Sequence, residues 1–259
     1  MENVLNNKTA VVYGAGSIGG AVVAAFARGG ATVFVADHHP ETLKKLAANV
    51  PAIQTVQLDV LDQHAVEAFV QSIVEQTGHV DISFCATSTH KPGGEQGAAL
   101  TEVTYEDFSL PIMDYTKAIF NTASAVYPHM VRQHAGVIMG ITAVVSQMPL
   151  PFTAGFGPAW AAVEAMLRLL AAELGPYGVR TVCLHSAGSD GAVDKTLARN
   201  NPALDQRGEV WGQRWMSRNL LGRGPTLEEV GNMAAFLASD LAGATTGTTV
   251  SLDGGMINH

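Results

Sequence analysis

Apolar runs of five to seven residues alternate along the chain with segments whose apolar residues recur at helical spacing. The runs predict strands over Thr9–Tyr13, 32–36, Ile53–Gln57, 81–85, 137–141, 180–184 and Thr248–Leu252. The segments between them predict helices over 18–28, Pro40–Asn49, Gln63–Thr77, Tyr105–Gln133, Phe156–Leu174 and 226–239, with a bend in the fourth at Pro111. Strict strand–helix alternation argues for an α/β fold: a doubly wound parallel sheet of about seven strands with helices on both faces. Right-handed crossovers then leave ligand sites at the carboxyl ends of the strands. Residues 1–259 read as a single domain without repeat, linker or low-complexity tract. One long irregular stretch, 185–225, holds Trp211 and Trp215 and has the length of a lid.

Composition narrows the partners. A hydrophobic content of 47% suffices for a sheet buried on both faces, and 27 glycines imply many tight connections. The net charge of −8 and the lack of any basic stretch argue against nucleic acid and anionic membrane as partners. Cys85 and Cys183 lie in apolar strand-like runs and read as buried thiols of a reducing cytoplasm, not as a disulfide. The first residues lack the form of a signal peptide. The most apolar helix carries Glu164, Arg168 and Glu173, which argues against a membrane span.

The candidate chemistry begins after the first strand. Gly14-Ala15-Gly16-Ser17-Ile18-Gly19 follows an apolar strand and opens a helix, with glycines at the Gly-x-Gly-x-x-Gly spacing. Such a loop turns tightly and brings backbone N–H groups to a pyrophosphate at the helix N-terminus. Asp37 ends the second strand, 23 residues beyond Gly14. A carboxylate there accepts hydrogen bonds from ribose hydroxyls and repels a 2′-phosphate, so NAD is expected over NADP. His38 and His39 follow it, either softening that preference or standing as plain loop histidines.

With these motifs in hand the chain resembles the short-chain dehydrogenase/reductase family over nearly its whole length. Leu58-Asp59-Val60 looks like that family's adenine-side Asp-Val. Leu170–Leu174 with Pro176–Arg180, Leu221–Thr226, Phe236–Asp240 and Leu252–Gly255 match its later segments. The resemblance implies a Rossmann-type fold, an oxidoreductase activity and a homodimer or homotetramer. It also implies coenzyme contacts at Gly14, Gly16, Ser17, Ile18, Gly19, Asp37, Asp59, Val60, Cys85, Ala86, Thr87 and Gly188.

The departures from the family pattern gather where the chemistry belongs. Aligned without gaps from Leu170, the family's Tyr falls on Phe156, its Lys on Trp160 and its Ser on Ala143. Its Asn falls on or near Tyr115, and its Asn-Asn-Ala-Gly run is replaced by Cys85-Ala86-Thr87-Ser88. The glycine loop is one residue shorter than usual, and Ala187-Gly188 stands for Pro-Gly. No Tyr-x-x-x-Lys occurs anywhere in the chain. Phe156 has no ionisable hydrogen, Trp160 no charge and Ala143 no donor, so ordinary ketone–alcohol interconversion should be largely lost.

Tyr115 and His90 are the candidate proton donors. Ser88, Thr89, Thr153 and His185 are further hydroxyl or imidazole groups near the strand ends. Thr142 should point to the opposite face from Ala143, and His185 suits a structural hydrogen bond. Met148, Trp211, Trp215 and Met216 either line an apolar substrate pocket or pack the core. The small and apolar residues around the helix Phe156–Leu174 predict a two-fold dimer through it and the fourth helix. A tetramer using the C-terminal strand is what the resemblance implies. Three functions stay open: an NAD-dependent oxidoreductase acting on a small carbonyl or enone, a non-catalytic NAD-binding protein, and a non-redox lyase, cyclase or isomerase reusing the pocket.

Overall fold

The first strand, β1 (Thr9–Tyr13), is buried at every residue. Val11 and Tyr13 join one apolar cluster, Ala10 and Val12 the other. Side chains alternate across a strand, so a run apolar at every position is dictated when both faces are covered. The computed structural model describes residues 3–87, 98–187 and 218–257. After β1 come α1 (Ser17–Arg28), β2 (Thr32–Asp37), α2 (Pro40–Asn49), β3 (Ile53–Gln57), α3 (Gln63–Thr77) and β4 (Ile82–Cys85). They are followed by α4 (Tyr105–Gln133), β5 (Gly136–Ala143), α5 (Phe156–Leu174), β6 (Val179–Ser186), α6 (Leu227–Ala238) and β7 (Thr248–Leu252).

The seven strands form one parallel sheet in the order β3-β2-β1-β4-β5-β6-β7. The chain reverses direction across the sheet between β1 and β4, which opens a crevice at their carboxyl ends. Residues of α3, α4 and α5 (Phe69, Ile119, Val163) fill one face of the sheet. Residues of α1, α2 and α6 (Phe26, Leu43, Val230) fill the other. A third, small cluster of Val144, Met148, Ala187 and Met256 lies just past the ends of β5, β6 and β7.

Local chemistry sets the element ends. Asp62 starts α3 by accepting the Ala65 N–H at 3.1 Å, and Thr104 starts α4 by accepting that of Asp107 at 3.1 Å. Thr226 and Glu229 form a reciprocal cap on α6, which places the predicted first helical residue just outside the helix. Asp81 likewise precedes β4, where its carboxylate accepts the Thr9 N–H at 2.7 Å. The helix α4 contains both Pro111 and Pro128.

Strands β5 and β6 run further than the apolar pattern predicts. They stay in register to Thr142 beside His185 and Ala143 beside Ser186. The polar residues that end the apolar run in sequence are buried in the structure, where they share hydrogen bonds. Of the irregular stretch expected over 185–225, His185 and Ser186 therefore belong to β6. Trp211, Trp215 and Met216 lie outside the described residues. No helix among the described residues is long and apolar enough to cross a membrane.

Candidate active site

The glycine loop divides by cause. Gly14 has φ +100°, and a Cβ there would come within 2.5 Å of the Ala86 carbonyl oxygen. A Cβ on Gly19 would collide with the Gly14 carbonyl. Packing therefore dictates the first and third glycines. Gly16 is different, because a Cβ on it would meet nothing within 4 Å. Its bareness serves no contact among the described residues and leaves the backbone open at the start of α1. Gly16 also caps α1 without a side-chain hydrogen bond, and the first turn carries no acidic residue. The N–H groups of Ser17, Ile18 and Gly19 have no acceptor within the helix, so this end attracts an anion.

Next to the loop, a cavity of about 180 Å³ is lined by Tyr13, Gly14, Gly16, Ala36, Asp37, His38, His39, Thr42, Leu58, Val60, Ala86 and Thr87. The Asp37 carboxylate lies within it, accepting the Ala15 N–H at 2.7 Å on one oxygen and the His39 N–H at 2.8 Å on the other. The oxygen that accepts the His39 N–H also has His38 Nδ1 3.5 Å away. Asp59 accepts the Leu61 N–H at 2.9 Å, and the Val60 carbonyl accepts the Asn121 amide at 2.9 Å. Asn121, buried on α4, thus fixes the backbone beside the cavity. Cys85 is buried under it, with its Sγ 3.5 Å from Thr87 Oγ1, and burial raises its thiol pKa. Of the expected coenzyme residues, Gly14, Gly16, Asp37, Val60, Ala86 and Thr87 line this cavity, Ser17, Ile18 and Gly19 open α1 beside it, and Gly188 lies outside the described residues.

The carboxyl ends of β5 and β6 have another character. Phe156 and Trp160 lie one turn apart on α5, half-buried, and Tyr115 reaches them from α4. The Tyr115 ring centroid is 3.9 Å from that of Trp160 and 6.2 Å from that of Phe156, the latter pair edge to face. Ala143 ends β5. Among these four residues only the Tyr115 hydroxyl can exchange a proton, and its ring is packed on the Trp160 indole. His90, Ser88 and Thr89 lie outside the described residues. Thr153 donates to the Leu150 carbonyl at 3.1 Å in the turn before α5.

Thr142 points away from Ala143 as alternation requires, and leads to a group that the pattern of the sequence hid. Its hydroxyl donates to Glu164 at 2.9 Å. The same carboxylate, buried beneath α5, receives Ser146 at 2.6 Å, His185 Nδ1 at 3.1 Å and Gln147 at 3.2 Å. Burial by itself would raise the Glu164 pKa. The hydrogen bonds, that of His185 foremost, outweigh burial and hold it at about 2. Nδ1 of His185 is therefore the donor, and its buried Nε2 has no partner among the described residues. Glu164 joins β5, the turn Val144–Ser146, β6 and α5 at one point. Its one sequence signal is its spacing, four residues after Trp160 and eight after Phe156, on a helix otherwise apolar on that side.

A larger apolar groove of about 720 Å³ runs along α6 and the end of β7, bordered by Leu220, Leu221, Met233, Phe236 and Leu252. It shares no residue with the glycine-loop cavity. Both cysteines are buried and free, and the pKa of Cys183 is pushed up to about 12 by burial. No cluster of metal-ligating side chains occurs among the described residues.

Known proteins place this geometry. A family model described as enoyl-(acyl carrier protein) reductase matches residues 14–257. The 3-oxoacyl-(acyl-carrier-protein) reductase of Thermotoga maritima is 29% identical over 98% of this chain and 99% of its own length. The rat peroxisomal 2,4-dienoyl-CoA reductase is 30% identical over 98% of this chain and 85% of its own length. The structure of carveol dehydrogenase from Mycobacterium avium in complex with NAD superposes with a TM-score of 0.85 at 25% identity, covering 98% of this chain and 99% of that one. From the glycine loop to the C-terminal strand, the chain belongs to the short-chain dehydrogenase/reductase family.

Proposed function

We propose that this protein is an NAD-dependent reductase of a carbon–carbon double bond conjugated to a carbonyl, as in an enone or an enoyl thioester. The carrying observation is the contrast between Gly16, bare toward open space, and the packed rings of Tyr115, Phe156 and Trp160. The first suits a dinucleotide. The second stands where the family resemblance puts proton-transfer groups and supplies only one hydroxyl.

Reduced NAD, when bound, supplies a hydride. The N–H groups of Ser17, Ile18 and Gly19 would hold the pyrophosphate, and Asp37 would accept the adenosine ribose hydroxyls. Leu58, Val60 and Ala86, which line the same cavity, would offer the adenine an apolar wall. The rings of Tyr115, Phe156 and Trp160 would present an apolar surface to the acceptor. Reduction at the β-carbon would spread the developing charge over an enolate, with the balancing proton taken up at the α-carbon. That route asks less of an acid at oxygen than ketone reduction does. Tyr115 is the described residue able to donate that proton.

The relatives' printed names support the choice: one is a 2,4-dienoyl-CoA reductase, and the family model is described by an enoyl reductase. The test pairs substrates. With NADH, absorbance at 340 nm should fall with 2-cyclohexenone and stay constant with cyclohexanone. Loss of ketone alone would contradict the proposal. NADH binding without turnover of any enone or enoyl thioester would favour a non-catalytic NAD-binding protein. Product without coenzyme oxidation would favour a lyase or isomerase.

We also propose a two-fold assembly through α4 and α5, which expose Met113, Phe120 and Leu169. The groove along α6 and β7 supplies a second interface in a tetramer. Light scattering should give a dimer or tetramer mass, and a monomer would remove this assembly.

A further inference from the structure

The cavity wall just beyond β3 is held from behind. Residues Asp59 to Asp62 form a turn, in which the Asp62 N–H donates to the Asp59 carbonyl at 3.0 Å and the Leu61 N–H to the Asp59 carboxylate at 2.9 Å. The Val60 carbonyl belongs to the same peptide as the Leu61 N–H, and it accepts the Asn121 side-chain amide at 2.9 Å. Asn121 reaches it from the buried face of α4. The Val60–Leu61 peptide is thus bonded at both ends. The peptide before it is not. Val60 is buried and lines the cavity, and its N–H has no acceptor among the described residues. Buried backbone donors are nearly always paired, so this one suits an acceptor on a ligand.

We infer that Asn121 is a positioning residue for the coenzyme's base, holding the Val60 turn so that the site takes adenine and rejects hypoxanthine. The inference rests on the dinucleotide reading of the same cavity. The family resemblance puts adenine beside Asp59 and Val60, and the support behind that turn comes from this chain's own contact with α4. Adenine carries an acceptor at ring nitrogen N1. In hypoxanthine the same nitrogen bears a hydrogen and can only donate. An N–H fixed in the wall would bond the first and oppose the second. A loose one would turn aside and tell them apart poorly. Leucine at position 121 fills a similar volume but offers no donor. The Val60 carbonyl then loses its partner inside the protein, and the turn has to shift to bring that carbonyl to water.

The experiment measures, by fluorescence titration, the dissociation constants of NADH and of reduced nicotinamide hypoxanthine dinucleotide, which differs from it in the base alone. Wild type should bind the hypoxanthine form about tenfold more weakly, the effect of one hydrogen bond. In Asn121→Leu the ratio should fall to about two or less, mainly through weaker NADH binding. Asn121→Ala, the smaller cut, should give the same ratio and serves if the leucine variant does not fold. A role confined to packing α4 would weaken both coenzymes alike, and a ratio unchanged from wild type would overturn the inference while leaving the dinucleotide reading intact. Two measurements need no variant. Equal affinities in wild type would overturn the inference, and so would exchange of the Val60 amide hydrogen that saturation with NADH does not slow. Failure of wild type to bind either coenzyme would overturn the two readings together.

Discussion

The carboxyl ends of β1 and β2 and those of β5 and β6 belong to the same sheet but are built in opposite ways. At β1 the backbone is bare: Gly16 faces open space, and the first N–H groups of α1 are left for a ligand. At β5 and β6 Tyr115, Phe156 and Trp160 pack ring on ring, and Thr142, Ser146 and His185 share the Glu164 carboxylate. One sheet thus carries a bare backbone turn at one place and an aromatic cluster over a shared carboxylate at another. Function has to be read from each half separately.

The contrast can be broken most severely at Gly19. In Gly19→Ala the new Cβ meets the Gly14 carbonyl, backbone that cannot move aside. Soluble, folded protein should be largely lost, as judged by expression and circular dichroism. Gly16→Val sharpens the comparison, because its neighbourhood is empty. Its melting temperature should stay close to wild type while NADH affinity falls roughly 100-fold, about 2.7 kcal/mol. A variant that melts early but still binds would assign Gly16 to packing instead.

Glu164 tests the other half. Glu164→Ala leaves the buried Thr142 and His185 and the half-buried Ser146 without their acceptor, and should cost roughly 3 kcal/mol in denaturant unfolding. Its pH dependence has a definite sign. The folded-state pKa of about 2 lies below the ordinary carboxylate value. The stabilisation is therefore complete above about pH 4.5 and is lost as pH falls toward 2. Wild type should show that acid slope, and Glu164→Gln should show less of it. The smallest effect is expected from Tyr115→Phe, which keeps the ring contacts. Stability should change by about 1 kcal/mol or less, and enone turnover should drop if the hydroxyl gives the proton.

The glycine loop after β1 was legible in the sequence because its signals are local. An apolar strand, three glycines at fixed spacing and Asp37 on the next strand lie within 30 residues, and Tyr13, Gly14, Gly16 and Asp37 line one cavity. The alternation of apolar runs also located every strand, although it ended β5 and β6 too early. The cause is the same as for Glu164. The partners of Thr142 and His185 lie about 20 residues away, so each looked like the polar end of a strand or helix. Asn121 escaped notice for the same reason: its acceptor, the Val60 carbonyl, is 61 positions distant. Long-range pairing of buried polar groups leaves little periodic trace.

Calorimetric titration of NADH into the wild-type protein tests the central claim most directly, since everything proposed for the site presumes a pocket kept for that coenzyme. Saturable binding with one site per chain is expected at micromolar to submillimolar concentration. No heat of binding up to several millimolar NADH or NADPH would contradict it.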